Sequence, residues 1–158
     1  MKKIAVIYSK YSPVIDAIKY TLSDCSVDCL SDINSTEFYD LVICLDNKKF
    51  NKNAIACHHS LLPAFDCDEP EKEAILSGAK VTGITIYNVN TKKIITQYPV
   101  FINNDTHYDD LKQELTYLEQ TLLPIVAKKI INNEPFEIKN LLNSGCNRTC
   151  GGCSSCKH

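Results

Sequence analysis

Cys57-His58-His59-Ser60-Leu61-Leu62-Pro63-Ala64-Phe65 begins on the last residue of the short apolar run at residues 54–57. An apolar run that ends in polar groups reads as a strand delivering a site. Open α/β sheets place their sites at the carboxyl ends of strands. Two adjacent imidazoles there suit acid/base or ligand chemistry, because imidazole titrates near neutral pH. The same pair also fits a plain turn, with one ring stacked and the other solvated.

Upstream, residues 3–8 form an apolar, β-branched run and read as a buried strand. Ser9-Lys10-Tyr11-Ser12-Pro13 reads as a turn, with Ser12 as N-cap and Pro13 at the first helical position. Val14, Ile15, Ile18 and Leu22 then keep helical spacing, and residues 26–30 and 40–45 supply two more strand-like runs. This alternation predicts a parallel sheet with helices on its faces.

Downstream, Glu69-Pro70-Glu71-Lys72-Glu73-Ala74-Ile75-Leu76-Ser77-Gly78 has a helix start, an alanine/leucine body and a glycine stop. The runs at 80–89 and 93–101, joined through Asn90-Thr91-Lys92, predict a hairpin. Thr106-x-x-Asp109 reads as a capping box that opens a long helix carrying Tyr108, Leu111, Leu115, Leu118 and Leu122. Pro124 is expected to kink that helix before Ile125, Val126 and Ile130. Beyond about Asn132 the pattern dissolves, which divides the chain into a domain at 1–139 and a tail at 140–158.

A chain of 158 residues can bury one real core. Its apolar fraction of 44% and charged fraction of 23% are those of an ordinary globular protein. A net charge of −2 carries no basic excess, so nucleic acid is not an expected partner. The first apolar run is too short for a signal peptide, and no run approaches the roughly 20 residues of a membrane span. The expectation is a cytoplasmic protein without membrane partners. Thiols there are mostly reduced, so nine cysteines favour metal or redox chemistry over structural disulfides. Cys44, inside an apolar run, reads as a small core residue.

The other dense cluster is Cys146-Asn147-Arg148-Thr149-Cys150-Gly151-Gly152-Cys153-Ser154-Ser155-Cys156, a C-x3-C-x2-C-x2-C spacing. Thiols this close converge on one centre, and the two glycines allow tight turning. Cys146, Cys150, Cys153 and Cys156 are therefore candidate metal ligands, and both an iron–sulfur cluster and zinc accept four thiolates. The C-x3-C-x2-C part resembles the cluster-binding triplet of radical S-adenosylmethionine enzymes, but that family's large barrel has no counterpart here. The alternatives are a tail that docks a protein partner, one that a partner enzyme modifies, and thiol–disulfide exchange through the C-x2-C pairs.

His58-His59-Ser60-Leu61-Leu62-Pro63-Ala64-Phe65 resembles the H-P-S-L-L-P-A-F signature of the formyltransferases, specifically the glycinamide ribonucleotide transformylases of purine synthesis. The resemblance continues in order through Ala74-Ile75-Leu76-Ser77-Gly78-Ala79-Lys80-Val81-Thr82-Gly83-Ile84-Thr85, which is similar to A-L-x-A-G-x-K-V-T-G-x-T. It then takes in Ile94-Ile95-Thr96-Gln97, Pro99-Val100, Asn104-Asp105-Thr106 and Leu122-Leu123-Pro124. It implies an α/β, three-layer, Rossmann-like formyltransferase fold: a mainly parallel sheet, a C-terminal hairpin and a long helix. It also implies His58 as the catalytic histidine and His59, Ser60, Leu61 and Pro63 as substrate-binding positions. The donor it implies for an active enzyme is 10-formyltetrahydrofolate.

Departures from that pattern fall on the chemistry. The family's asparagine position holds Ala56, and its aspartate loop is replaced by Asn88-Val89-Asn90-Thr91-Lys92-Lys93. Its glycine-rich phosphate turn is replaced by Ser9-Lys10-Tyr11-Ser12-Pro13. Losing an oxyanion donor typically costs about a hundredfold or more in rate. The expectation is a formyltransferase-like scaffold that has lost formyl transfer and works through its cysteine tail. The alternative is an active one-carbon transferase, related to phosphoribosylglycinamide formyltransferase, that acts through His58 on a small-molecule amine.

Overall fold

The apolar runs form four parallel neighbours in a computed structural model that describes residues 1–31, 38–46 and 54–135. They are β1 (Lys3–Ile7), β2 (Ser26–Leu30), β3 (Leu41–Cys44) and β4 (Ala54–His58). The later runs give an antiparallel pair, β5 (Val81–Asn88) and β6 (Ile94–Phe101). The sheet order is β2-β1-β3-β4-β5-β6, parallel from β2 through β4 and antiparallel beyond. Strand order reverses direction at β1, so the carboxyl ends of β1, β3 and β4 face one crevice, the usual site position in such sheets.

Among the described residues three helices accompany this sheet: α1 (Pro13–Thr21), α2 (Pro70–Leu76) and α3 (Tyr108–Ile131). The Ser12 side chain accepts from the Val14 backbone N–H at 3.3 Å, so the predicted cap forms, with Pro13 behind it. Side chains alternate across each strand, which sorts the core into two clusters. Ile4, Val6, Ile43 and Ile55 join Ile18 of α1 and Leu111, Leu115 and Leu123 of α3. Ala5, Ile7, Val42, Cys44, Ala54, Ala56 and Tyr87 form the smaller cluster on the other face. Cys44 is 2% exposed, a packed core residue.

The α/β, Rossmann-like architecture with its hairpin and long helix is the one the sequence predicts. One local reading is corrected. Thr106 does not cap α3: the N-cap is His107, without a side-chain bond, and Thr106 Oγ1 instead accepts from the Asn103 N–H at 2.9 Å. A threonine hydroxyl closes a turn as readily as it caps a helix, and the tighter turn wins here. α3 continues through Pro124 as one helix of 24 residues. The hairpin turn is closed by Asn88, whose Oδ1 accepts from the N–H groups of Asn90 and Thr91, both at 3.0 Å. The boundary expected at 139/140 and the cysteine tail lie outside the described residues.

Gly83 of β5 has no room for a side chain. A Cβ there would overlap the Tyr98 carbonyl of β6 and stand 2.8 Å from Leu61 Cδ2. Gly83→Ala should therefore lower stability by about 1–3 kcal/mol, because backbone has to move. Chemical denaturation checks this. An unchanged midpoint would show that β6 yields freely.

Candidate active site

β4 carries Ala56 and His58 on one face and Cys57 on the other. His58, at the strand end, is 8% exposed. Its Nδ1 lies 2.9 Å from Ser60 Oγ, and that hydroxyl donates its own proton to the Ala64 carbonyl at 2.6 Å. A hydroxyl has one proton, so Ser60 must accept from His58 Nδ1–H. This places the neutral ring's proton on Nδ1 and makes Nε2 the nitrogen that gains a proton when the ring charges. Burial pulls the His58 pKa below its usual value. The Asp66 carboxylate and a hydrogen bond to the Cys67 backbone offset this in part, and the ring is neutral at pH 7.

The loop after His58 is held by the hairpin. Thr85, fully buried, donates to the Ser60 carbonyl at 2.6 Å and accepts from the Leu62 N–H at 3.0 Å. Gln97 Nε2 donates to Thr85 Oγ1 at 3.0 Å and to the Leu62 carbonyl at 2.8 Å. Strands β5 and β6 thus clamp the backbone that positions Ser60, and through it the imidazole. The Leu62–Pro63 peptide within this loop is cis.

His59 points the other way and closes an ionic bridge between two helices. Its Nδ1 lies 2.6 Å from Glu71 Oε1 of α2, and its Nε2 lies 2.9 Å from Glu119 Oε2 of α3. Burial lowers the His59 pKa, but the hydrogen bonds to Glu119 and Glu71 outweigh it and raise the pKa from 6.5 to about 9. At neutral pH the ring is an imidazolium that donates from both nitrogens. Burial raises the Glu71 pKa, the bond from His59 lowers it, and the net direction is down.

Beside these groups lies a cavity of about 310 Å³ lined by Cys57, His58, His59, Asp68, Glu71 and Glu119, among others. It is rich in carboxylates, with Lys112 on its wall as the balancing amine. Such a cavity suits a small polar molecule bearing amine or hydroxyl donors.

The predicted site residues therefore have distinct places. His58 and His59 line the cavity, Ser60 is buried behind His58, Leu61 is half-buried against Gly83, and Pro63 is exposed. Ala56 is buried with Tyr87 as its cross-strand neighbour. Residues 88–93 form the tight hairpin turn and bring no carboxylate. In the first turn Ser9 donates to Asp46 Oδ1 at 3.0 Å, while Ser12 caps α1. Cys146, Cys150, Cys153 and Cys156 lie outside the described residues. Among the described residues no group of His, Cys, Asp or Glu side chains is arranged to hold a metal ion, and no helix is long and apolar enough to cross a membrane.

Glu71, Glu119 and Asp66 escape a reading of the chain alone. Two of them do leave a signal. Glu119 sits four residues after Leu115 and three before Leu122, on the apolar stripe of α3, and Glu71 sits three before the buried Ala74. A carboxylate on a buried stripe requires a cationic partner. Asp66 leaves none, because it lies in an irregular loop.

Residues 39–127 match the family model described as formyl transferase. Over 81 residues, 49% of this chain and 42% of the relative, the sequence is 33% identical to phosphoribosylglycinamide formyltransferase of Bacillus subtilis (strain 168). It is 35% identical, also over 81 residues, to methionyl-tRNA formyltransferase of Kosmotoga olearia, covering 49% of this chain and 26% of that protein. The chain thus spans less than half the length of these curated relatives. The fold superimposes on the crystal structure of phosphoribosylglycinamide formyltransferase from Bacillus halodurans with a TM-score of 0.68 and 20% identity. That match covers 82% of this chain and 95% of the other. With a family match over more than half its residues, and with His58 standing at the end of β4, the chain belongs to the formyl transferase family.

Proposed function

We propose that the chain is a one-carbon transferase of the family type, in which His58 moves the proton as a formyl group passes to a small amine. The observation that carries this reading is the state of His58: buried, neutral, fixed at Nδ1 by Ser60 and bordering a polar cavity. The expectation of lost transfer rests on Ala56 and the missing loop carboxylate. A preserved, oriented base beside a cavity speaks for retained chemistry.

The amine nitrogen attacks the formyl carbon of the donor, and a C–N bond forms. His58 Nε2 accepts the amine proton and returns it to the donor nitrogen as the old C–N bond breaks. The products are a formamide and the deformylated donor, with no net change in protonation of His58. The donor in this reading is 10-formyltetrahydrofolate, a substrate. Small-molecule rather than nucleic-acid or membrane partners, and a cytoplasmic setting, belong to the same reading. Calorimetry with 10-formyltetrahydrofolate and with glycinamide ribonucleotide, followed by an assay of deformylation, tests it. Binding of neither would overturn it.

A second reading concerns the tail and rests on the spacing of Cys146, Cys150, Cys153 and Cys156. Four thiolates suit an iron–sulfur cluster or zinc, held alone or with a protein partner or modifying enzyme. Protein purified without oxygen should then carry metal and, for a cluster, visible absorbance. Metal-free protein with all four tail thiols open to alkylation would dismiss this.

A further inference from the structure

His58 lacks the carboxylate that a longer hairpin loop would supply, yet another carboxylate lies near its Nε2. Asp66 Oδ1 lies 3.9 Å from His58 Nε2. It is delivered by the same clamped loop that fixes Ser60. Phe65, with φ 53°, turns the chain back, and the Cys67 N–H donates to the Phe65 carbonyl at 2.9 Å. The backbone on both sides of Asp66 is thereby set, although its side chain is 78% exposed. A second side chain responds to the same charge. The Tyr87 phenol, on the strand position facing Ala56, is pushed up by burial first and then by Cys44 and Asp66.

We propose that Asp66 is the carboxylate partner of His58 in the transfer step, acting from the loop after β4 in place of the absent hairpin-loop carboxylate. This rests on the transferase reading above. When Nε2 takes the proton from the attacking amine, the ring becomes an imidazolium, and Asp66 stabilises that charge. The proton then passes to the departing donor nitrogen. The other groups acting on His58 are the Cys67 backbone, the His59 imidazolium, which opposes protonation, and Glu71 of α2, which favours it. Asp66 is a positioning and charge-stabilising residue in this scheme, since the base itself is His58.

Asp66→Asn and Asp66→Glu test this by two independent readouts. The first is the His58 ring titration followed by NMR, with exposed His107 as internal reference. In Asp66→Asn the His58 midpoint falls, Asp66→Glu restores it, and His107 stays put. The second is transfer from 10-formyltetrahydrofolate. Asp66→Asn lowers kcat roughly tenfold with KM kept, moves the acidic limb of the kcat/KM profile to lower pH, and differs less from the parent as salt screens the pair. An unmoved His58 midpoint overturns the pairing whatever the activity. Full activity of Asp66→Asn in a working enzyme overturns the proposal alone. Absence of transfer by the parent protein, even with a shifted midpoint, overturns the transferase reading and with it the catalytic role.

Discussion

If the chain is the transferase proposed above, His58→Gln lowers the rate of formyl transfer by about a hundredfold or more while leaving the folded state intact. Glutamine retains a side-chain amide that can donate to Ser60, so the Ser60–Ala64 link and the loop behind it are kept. It cannot accept and return a proton near neutral pH. The loss therefore falls on kcat, because proton movement is needed only as the transition state is reached. Denaturation midpoints of parent and variant should agree closely. His58→Ala should show the same catalytic loss with some added instability, since the ring is nearly buried and its removal leaves a hole. Equal rates in parent and His58→Gln would remove His58 from the chemistry.

His59→Ala destabilises the protein by about 2–4 kcal/mol, somewhat below the range for a fully buried ionic network, because His59 and Glu119 are only half-buried. Glu71 and Glu119 would then share a small space without the imidazolium between them. Second-site Glu119→Gln in the His59→Ala background should recover part of the loss, which separates charge repulsion from lost packing. The parent protein should show the same network in its pH dependence. The His59 pKa is raised by folding, from 6.5 to about 9. A raised pKa contributes stability that is fully present below about pH 6.5 and is lost as pH climbs through 9. The shift corresponds to something on the order of 3 kcal/mol across that window. Denaturation at a series of pH values should show this slope, and His59→Ala should flatten it. A parent curve level from pH 6.5 to 9.5 would mean that the bridge does not form.

The elements are legible in the chain because their signals are local. Ser12-Pro13 announces α1, Asn88 through Lys93 announces the hairpin, and the leucines from 111 to 122 announce the face of α3. Each depends on residues within a turn or two of one another. Thr106 shows the limit. Its sequence context fits a cap, and only the folded chain reveals that its hydroxyl closes the preceding turn.

His58 is also legible, through the loop signature it opens and through its place after an apolar strand. Its tautomer is not. That depends on Ser60 having spent its proton on Ala64, a fact of three-dimensional geometry. His59 is the sharper case. In the chain it is a neighbour of His58 with the same chemistry. In the fold, strand alternation turns it away, and two helices distant in sequence supply carboxylates at positions 71 and 119. One imidazole is kept neutral by burial and the other is charged by pairing, although they are adjacent.

By itself the sequence determines the sheet, the helices, the family and the histidine at the end of β4, because hydrophobic period and turn chemistry act between near neighbours. It also shows which family groups are missing at Ala56 and at residues 88–93. Only the tertiary structure decides what stands in their surroundings: Asp66 beside Nε2, Thr85 and Gln97 behind the loop, and the Glu71–His59–Glu119 bridge. Protonation and charge depend on burial and on partners brought together across the fold, and chain order specifies neither.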